Sequence, residues 1–267
     1  MARSSLKNIA RLIQSTQESI PVEQSFLADL QRSIELQNKK TAREPSKTYK
    51  PSSMQCIRNM YYQVTGTQQD DNESSCSLVG ICNSGTDIHA RLQQAVLDMK
   101  TNGMDCEYVN VEDFVRTRGL NNLQVVKSPD FNAKDYETKL FDKRLNISFL
   151  CDGIIRYKNK YYILELKTES TNKFMMRKGV DTKHYDQGTA YSILFNLENV
   201  IFIYVNRDVH NMKSYMFTPT QQMKQDLLDR ISECDAFVLK NQVPPKPDVD
   251  SRVCNYCNYR LKCEGDV

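Results

Sequence analysis

The chain has 267 residues, 40% of them apolar and 26% charged, with a net charge of +3. That length fits one large domain or a domain with a small appendage, and the balance is that of a soluble globular protein. No apolar run approaches the roughly 18 residues that a membrane span needs, so a transmembrane helix is excluded, while the near-neutral charge allows a local basic patch without requiring one.

Residues 1–17 contain Ser and Arg and no acids, which suits a basic helix or, alternatively, a mitochondrial presequence; the apolar core of a secretory signal is missing. Pro21 opens a second helix through Phe26, Leu27, Leu30, Ile34 and Leu36, with Glu23 in its first turn. Its narrow apolar stripe is expected to pack against the rest of the chain. Residues 40–51 read as a basic linker, so 1–50 form a helical extension and a connector. A helix follows from Ser52 and Ser53, a natural cap, and takes Cys56 in its first turn. Residues 67–77 are a polar loop. Leu78–Met99 carries Ile88, Leu92, Ala95 and Val96 at helical spacing, with His89 at the stripe's edge. Glu107–Val111 and Leu123–Val126 look like strands; no chemistry is legible between 103 and 146.

The stretch Cys151–Thr168 holds two apolar runs around a polar turn at Lys158, Asn159 and Lys160, the pattern of a β-hairpin. Alternate side chains of a strand share a face. Glu165 and Lys167 therefore point one way, and Leu164 and Leu166 point the other, toward a core. Asp152 follows the run Ile147–Leu150 on the partner strand. Two carboxylates and an amine then converge, a set able to hold a hard divalent cation beside a charge-stabilising lysine. The alternative is three ordinary residues on a solvated sheet face.

Residues 168–182 form a polar loop in which Lys173, Arg177 and Lys178 are candidates for holding a nucleic-acid backbone, with a disordered surface loop as the equal alternative. A helix from Lys183 to about Leu197 puts Gln187 and Tyr191 on one face. Asn199–Val205 is a buried strand, Lys213–Phe217 an edge strand and Gln221–Leu239 a helix stopped by the prolines after Val243. Nine cysteines are an odd count in a chain too long to need disulfide staples, and a reducing cytoplasm with metal-ligating thiolates fits them better. Cys254, Cys257 and Cys263 can ligate one metal centre, and the fourth ligand must come from elsewhere, with Cys56, Cys76 and Cys82 as candidates.

Asp152 with Glu165-Leu166-Lys167 resembles the core motif of the PD-(D/E)XK nuclease superfamily, with Cys151 where a proline usually stands. Gly85-x-x-x-His89 and Gln187-x-x-x-Tyr191 are similar to further motifs of its RecB-like branch. The order Cys56 … Cys254-x₂-Cys257-x₅-Cys263 resembles the iron–sulfur group of that branch, which includes the AddB nuclease domain and the four-cysteine CRISPR-associated adaptation exonuclease. The resemblance spans about Ser52 to Cys263. It implies a restriction-endonuclease-like α/β fold: a mixed sheet flanked by helices in a core of residues 51–243. Residues 244–267 form a cysteine tail that closes a helical iron–sulfur lobe with Cys56.

The resemblance also implies Mg²⁺ or Mn²⁺ held by His89, Asp152, Glu165 and the Leu166 carbonyl. Lys167 would position water, and Gln187 and Tyr191 would line the site. Cys56, Cys254, Cys257 and Cys263 would bind a [4Fe–4S] cluster, with structural zinc as the alternative. The expected activity is metal-dependent exonucleolytic hydrolysis of single-stranded or resected DNA in recombination, repair, or viral or CRISPR DNA processing, with any helicase supplied by a partner protein. A non-catalytic nucleic-acid-binding module and a structure-specific endonuclease are the alternatives. The expected location is a bacterial cytoplasm, or that of a host if the chain is phage-encoded.

Overall fold

The structure, a computed structural model, describes residues 21–40, 45–70, 75–133, 135–249, 251–255 and 257–266. The reading of residues 1–17 lies outside these. The chain divides into two compact units, Met1–Arg43 with Glu73–Cys82, and Glu44–Asn72 with Asn83–Val267. In the smaller unit, helix α1 (Val22–Lys40) matches the periodicity. Its apolar side chains Val22, Phe26, Leu27, Leu30 and Leu36 are exposed and Ile34 is half-buried.

The larger unit is α/β. Helices α2 (Ile57–Val64), α3 (Cys76–Asp98, only its later part in this unit) and α4 (Val111–Thr117) are interleaved with strands β1 (Cys106–Val109) and β2 (Leu123–Lys127). Strands β3 (Thr138–Asp142), β4 (Ile147–Cys151), β5 (Gly153–Tyr157) and β6 (Lys160–Glu169) follow. Then come α5 (Thr171–Met176), α6 (Tyr185–Phe195), β7 (Val200–Asn206), β8 (Met212–Phe217), α7 (Gln221–Leu239), α8 (Ser251–Cys254) and α9 (Arg260–Gly265). The expected mixed sheet flanked by helices is present. A five-stranded sheet runs β1-β5-β6-β7-β8, with β8 at its edge as expected, and β2-β3-β4 form a separate three-stranded sheet. Among the strands described, only β6 and β7 pair in parallel with one another, joined by the crossover through α5 and α6 that parallel pairing requires.

The hairpin of β5 and β6 turns at Lys158 and Asn159, both with positive φ (48° and 61°), which gives the twist of a two-residue type I′ turn. β6 is covered on both faces. Leu164 and Leu166 pack with Ile155 and Cys106 against Leu92 and Val96 of α3. Ile163 lies in the larger core with Phe202 and with Ala190, Leu194 and Phe195 of α6. Glu165 therefore sits not on a solvated face but beneath α6, at 4% exposure.

α6 comes this close because of Gly188. A Cβ there would stand 2.7 Å from the Phe217 ring and 3.2 Å from Phe202. Gly188→Ala is expected to force α6 off the sheet, at a cost of about 1–3 kcal/mol, and to displace the neighbouring Gln187; thermal unfolding checks the first effect.

Two local expectations need correction. The helix after Pro51 is a short 3-10 turn, Pro51–Ser53, followed by α2, whose cap position is Cys56 itself. The segment 168–182 is not an open loop. Arg177 donates to Glu169 at 2.5 and 2.7 Å and to Asp181 at 3.0 Å, its guanidinium 4.2 Å from the centre of the Tyr204 ring. With its side chain 8% exposed, Arg177 is a structural clamp rather than a free cation.

The C-terminal tail returns to α2. Arg58 donates to the carbonyls of Pro244 (2.7 Å) and Cys263 (2.9 Å), Tyr62 Oη donates to Asp266 at 2.9 Å, and Asp70 accepts from the Leu261 amide at 2.7 Å. No helix among the described residues is long and apolar enough to cross a membrane.

Candidate metal and catalytic centre

β4 and β5 are separated by the single residue Asp152, where the chain leaves the three-stranded sheet and enters the five-stranded one. Its carbonyl accepts from Gln93 Nε2 at 2.7 Å and from Tyr108 Oη at 2.9 Å. Its Oδ2 accepts from the Leu166 amide at 2.7 Å, which joins it to β6. The residue after Asp152 has to be glycine for the same reason of space. A Cβ on Gly153 would meet the Tyr108 ring at 2.7 Å.

α3 brings His89 to the other carboxylate oxygen, with Nδ1 3.4 Å from Asp152 Oδ1. Gln93 lies one turn further on, so one helix face supplies both contacts. Glu137, just before β3, completes a group: ligand atoms of His89, Glu137 and Asp152 all lie within 4.8 Å of one another. β3 pairs with β4 in the register Thr138 opposite Cys151, and one step along that register sets Glu137 opposite Asp152.

Beside this group runs a polar chain. Lys167 Nζ is 2.7 Å from Glu165 Oε1 and donates to Gln187 Oε1 at 2.9 Å. Gln187 Nε2 donates to Glu165 Oε1 at 2.7 Å and to Tyr191 Oη at 3.0 Å, and Tyr191 donates onward to the Leu150 carbonyl at 3.0 Å. The structure thus brings His89, Asp152, Glu165, Leu166, Lys167, Gln187 and Tyr191 into one neighbourhood. Glu137, Gln93 and Tyr108 escaped the sequence reading.

Burial, opposed by Lys167 and reinforced by Asp152, pushes the Glu165 carboxyl up to about 7. Burial and then the Asp152 charge raise Glu137 too. Burial works against a charged His89, yet its contact with Asp152 lifts it above the ordinary imidazole range. Crowded acids that hold protons this firmly are relieved by a bound cation. Carboxylate oxygens with one imidazole nitrogen fit Mg²⁺ or, better, Mn²⁺.

A pH dependence follows. Glu165 and His89 bind more protons folded than unfolded, so the cation-free protein loses stability as pH rises through their folded pKa values. Melting in chelator from pH 5 to 8 should show a decline that Glu165→Gln makes shallower, and cation affinity should rise over the same interval.

The second candidate centre lies between α2 and the tail. Cys56, Cys254, Cys257 and Cys263 line one small cavity of about 40 Å³, and all four are free thiols. Arg58 Nη1 lies 3.4 Å from Cys263 Sγ, and Asn59 Nδ2 lies 3.4 Å from Cys257 Sγ. Burial raises the thiols of Cys56 and Cys257. Side-chain N–H groups thus stand beside two of the four sulfurs.

No protein-family model matches the sequence, and no curated protein matches it. Among solved structures, the crystal structure of SSO0001 is similar at 17% identity and a TM-score of 0.47, covering 91% of this chain and 98% of that one. An alkaline exonuclease (LHK-Exo) from Laribacter hongkongensis is similar at 10% identity and a TM-score of 0.45, covering 74% and 90%. Its complex with dAMP gives 11% and 0.44, covering 73% and 89%. These are distant likenesses, and the functional reading rests on the geometry of the site itself.

Proposed function

We propose that the chain is a metal-dependent nuclease that hydrolyses DNA phosphodiesters. The observation that carries this reading is the convergence of His89, Glu137 and Asp152, ligand atoms within 4.8 Å of one another, beside a lysine held 2.7 Å from Glu165. His89, Glu137 and Asp152 would hold Mg²⁺ or Mn²⁺, with Glu165 and the Leu166 carbonyl completing the set that the sequence motif implies. When bound, the cation supplies polarisation of a phosphoryl oxygen and acidification of a water.

The protein's own groups do the rest. Lys167 is fixed by Glu165 and Gln187, so its ammonium meets the phosphate without reorganising, and it orients the attacking water and offsets developing negative charge. Gln187 holds Glu165 and Lys167 at once, and Tyr191 anchors Gln187 to the end of β4. Gln93 and Tyr108 keep the Asp152 backbone in place.

The sequence resemblance to the RecB-like branch supports an exonucleolytic mode on single-stranded or resected ends, in recombination, repair or CRISPR or phage DNA processing, with a helicase partner where unwinding is needed. The same resemblance supports a [4Fe–4S] cluster on Cys56, Cys254, Cys257 and Cys263, with zinc as the competing metal. The cluster's role is structural, tying the tail to α2.

The test is degradation of end-labelled single-stranded DNA with Mn²⁺, beside a circular single strand. Wild type should degrade the linear strand and spare the circle, and Asp152→Ala should degrade neither. Equal degradation by both proteins overturns the site; cleavage of the circle replaces the exonuclease with an endonuclease.

A further inference from the structure

A cleft of about 710 Å³ opens between the segment after β6 and the cysteine tail. Lys173 and Lys183 stand side by side in its wall. Much of the remaining lining is neutral and polar, including Ser53, Asn255 and Asn258, and the carboxylate in it, Asp181, is already held by Arg177 and Lys173. Glu169, behind it, is likewise held by Arg177 and Lys173. Three cations, Arg177, Lys173 and Lys183, therefore face two carboxylates, Glu169 and Asp181, which leaves one positive charge in excess at the cleft.

Burial and then the Lys173 ammonium depress Lys183 to about 8, a cost that an anion seated between the two lysines would remove. The cleft is also close to the chemistry. His184, next in the chain to Lys183, is stacked on Phe202 and Tyr204 with Nδ1 2.9 Å from Tyr204 Oη, and Tyr204 pairs with Lys167 between β7 and β6, which links the cleft lysine to the catalytic one.

We propose that this cleft is a phosphodiester subsite, in which Lys183 and Lys173 hold a backbone phosphate of the substrate strand next to the phosphate at Asp152 and Lys167. The inference rests on the nuclease reading for the identity of the strand. A backbone phosphate fits because the wall offers charge and hydrogen-bond donors, and the ring described in it, Tyr259, is buried against Tyr62, which suits positioning rather than base readout.

The test uses Lys183, whose side chain can be removed while its carbonyl still accepts from Gln55. Binding of a fluorescent single-stranded oligonucleotide is measured over a salt series with Ca²⁺ in place of Mn²⁺, for wild type, Lys183→Ala and Lys183→Arg, with equal melting temperatures as the control for folding. Lys183→Ala should weaken binding by about 5- to 20-fold at low salt and reduce the slope of log K against log salt by roughly 0.7, the share of one phosphate on a single strand. Lys183→Arg should restore both. With Mn²⁺ the loss should appear in KM and leave kcat nearly unchanged.

Unchanged affinity and slope in Lys183→Ala, while wild type still cuts DNA, overturns the subsite and leaves the nuclease standing. A wild type that cuts nothing while Lys183→Ala still weakens binding does the reverse. An effect confined to strands with a terminal phosphate overturns the phosphodiester assignment in favour of a phosphomonoester end, and a wild type that binds no DNA overturns both.

Discussion

Lys167→Ala should lower kcat on single-stranded DNA by roughly 10² to 10³, the effect of removing one preorganised charge from a reacting centre. The ammonium also holds the Glu165 carboxyl down against its burial, so the variant should show a second defect: weaker cation binding near neutral pH. Raising the pH to about 9 favours the ionised Glu165 carboxyl and so separates the two. At that pH, saturating Mn²⁺ should restore occupancy and leave the kcat deficit in place. A variant that regains full turnover under those conditions would show that Lys167 only tunes Glu165 and takes no part in the chemistry.

Cys56→Ser should act on stability and only secondarily on cleavage. The proposed metal centre shared by Cys56 and Cys254 would close a loop of about 200 residues, and a cross-link of that span restricts the unfolded chain by about 3–5 kcal/mol. For a unit of this size that corresponds to roughly 10 °C in Tm. Hydrogen exchange should quicken across the tail that Arg58, Tyr62 and Asp70 otherwise tie down. Anaerobically purified wild type should show a broad absorbance near roughly 400 nm that the variant lacks. A colourless wild type containing zinc would change the metal and leave the staple, whereas equal Tm and equal metal content in the two proteins would remove it.

The hairpin was the most legible part of the chain. Period-two alternation placed Leu164 and Leu166 in a core and paired Glu165 with Lys167, and the turn residues located the reversal. The helices 22–40, 76–98 and 221–239 followed from 3.6-residue periodicity.

What escaped depends on long-range register, which local pattern does not carry. Glu137 sits in a charged stretch without periodicity and reaches the site only through the pairing of β3 with β4. Gln93 looks like a surface residue of an amphipathic helix and is 1% exposed because Asp152's carbonyl needs a donor. Tyr108 is likewise recruited from the far strand β1. Arg177 was misread for the opposite reason. A basic residue in a polar segment suggests a solvated cation, and the partner that buries it, Glu169, lies at the end of β6, where composition says nothing about which carboxylate turns inward.

The proposed chemistry requires one ion bound at the seam between the two sheets. Titrating chelated protein with Mn²⁺, with free ion followed by electron paramagnetic resonance, tests this before any substrate is added. Wild type should take up a tightly held ion that Asp152→Ala loses and Glu137→Gln weakens by about tenfold, with the affinity rising from pH 6 to 8. Identical uptake by all three proteins, or none by wild type at millimolar Mn²⁺, would contradict it.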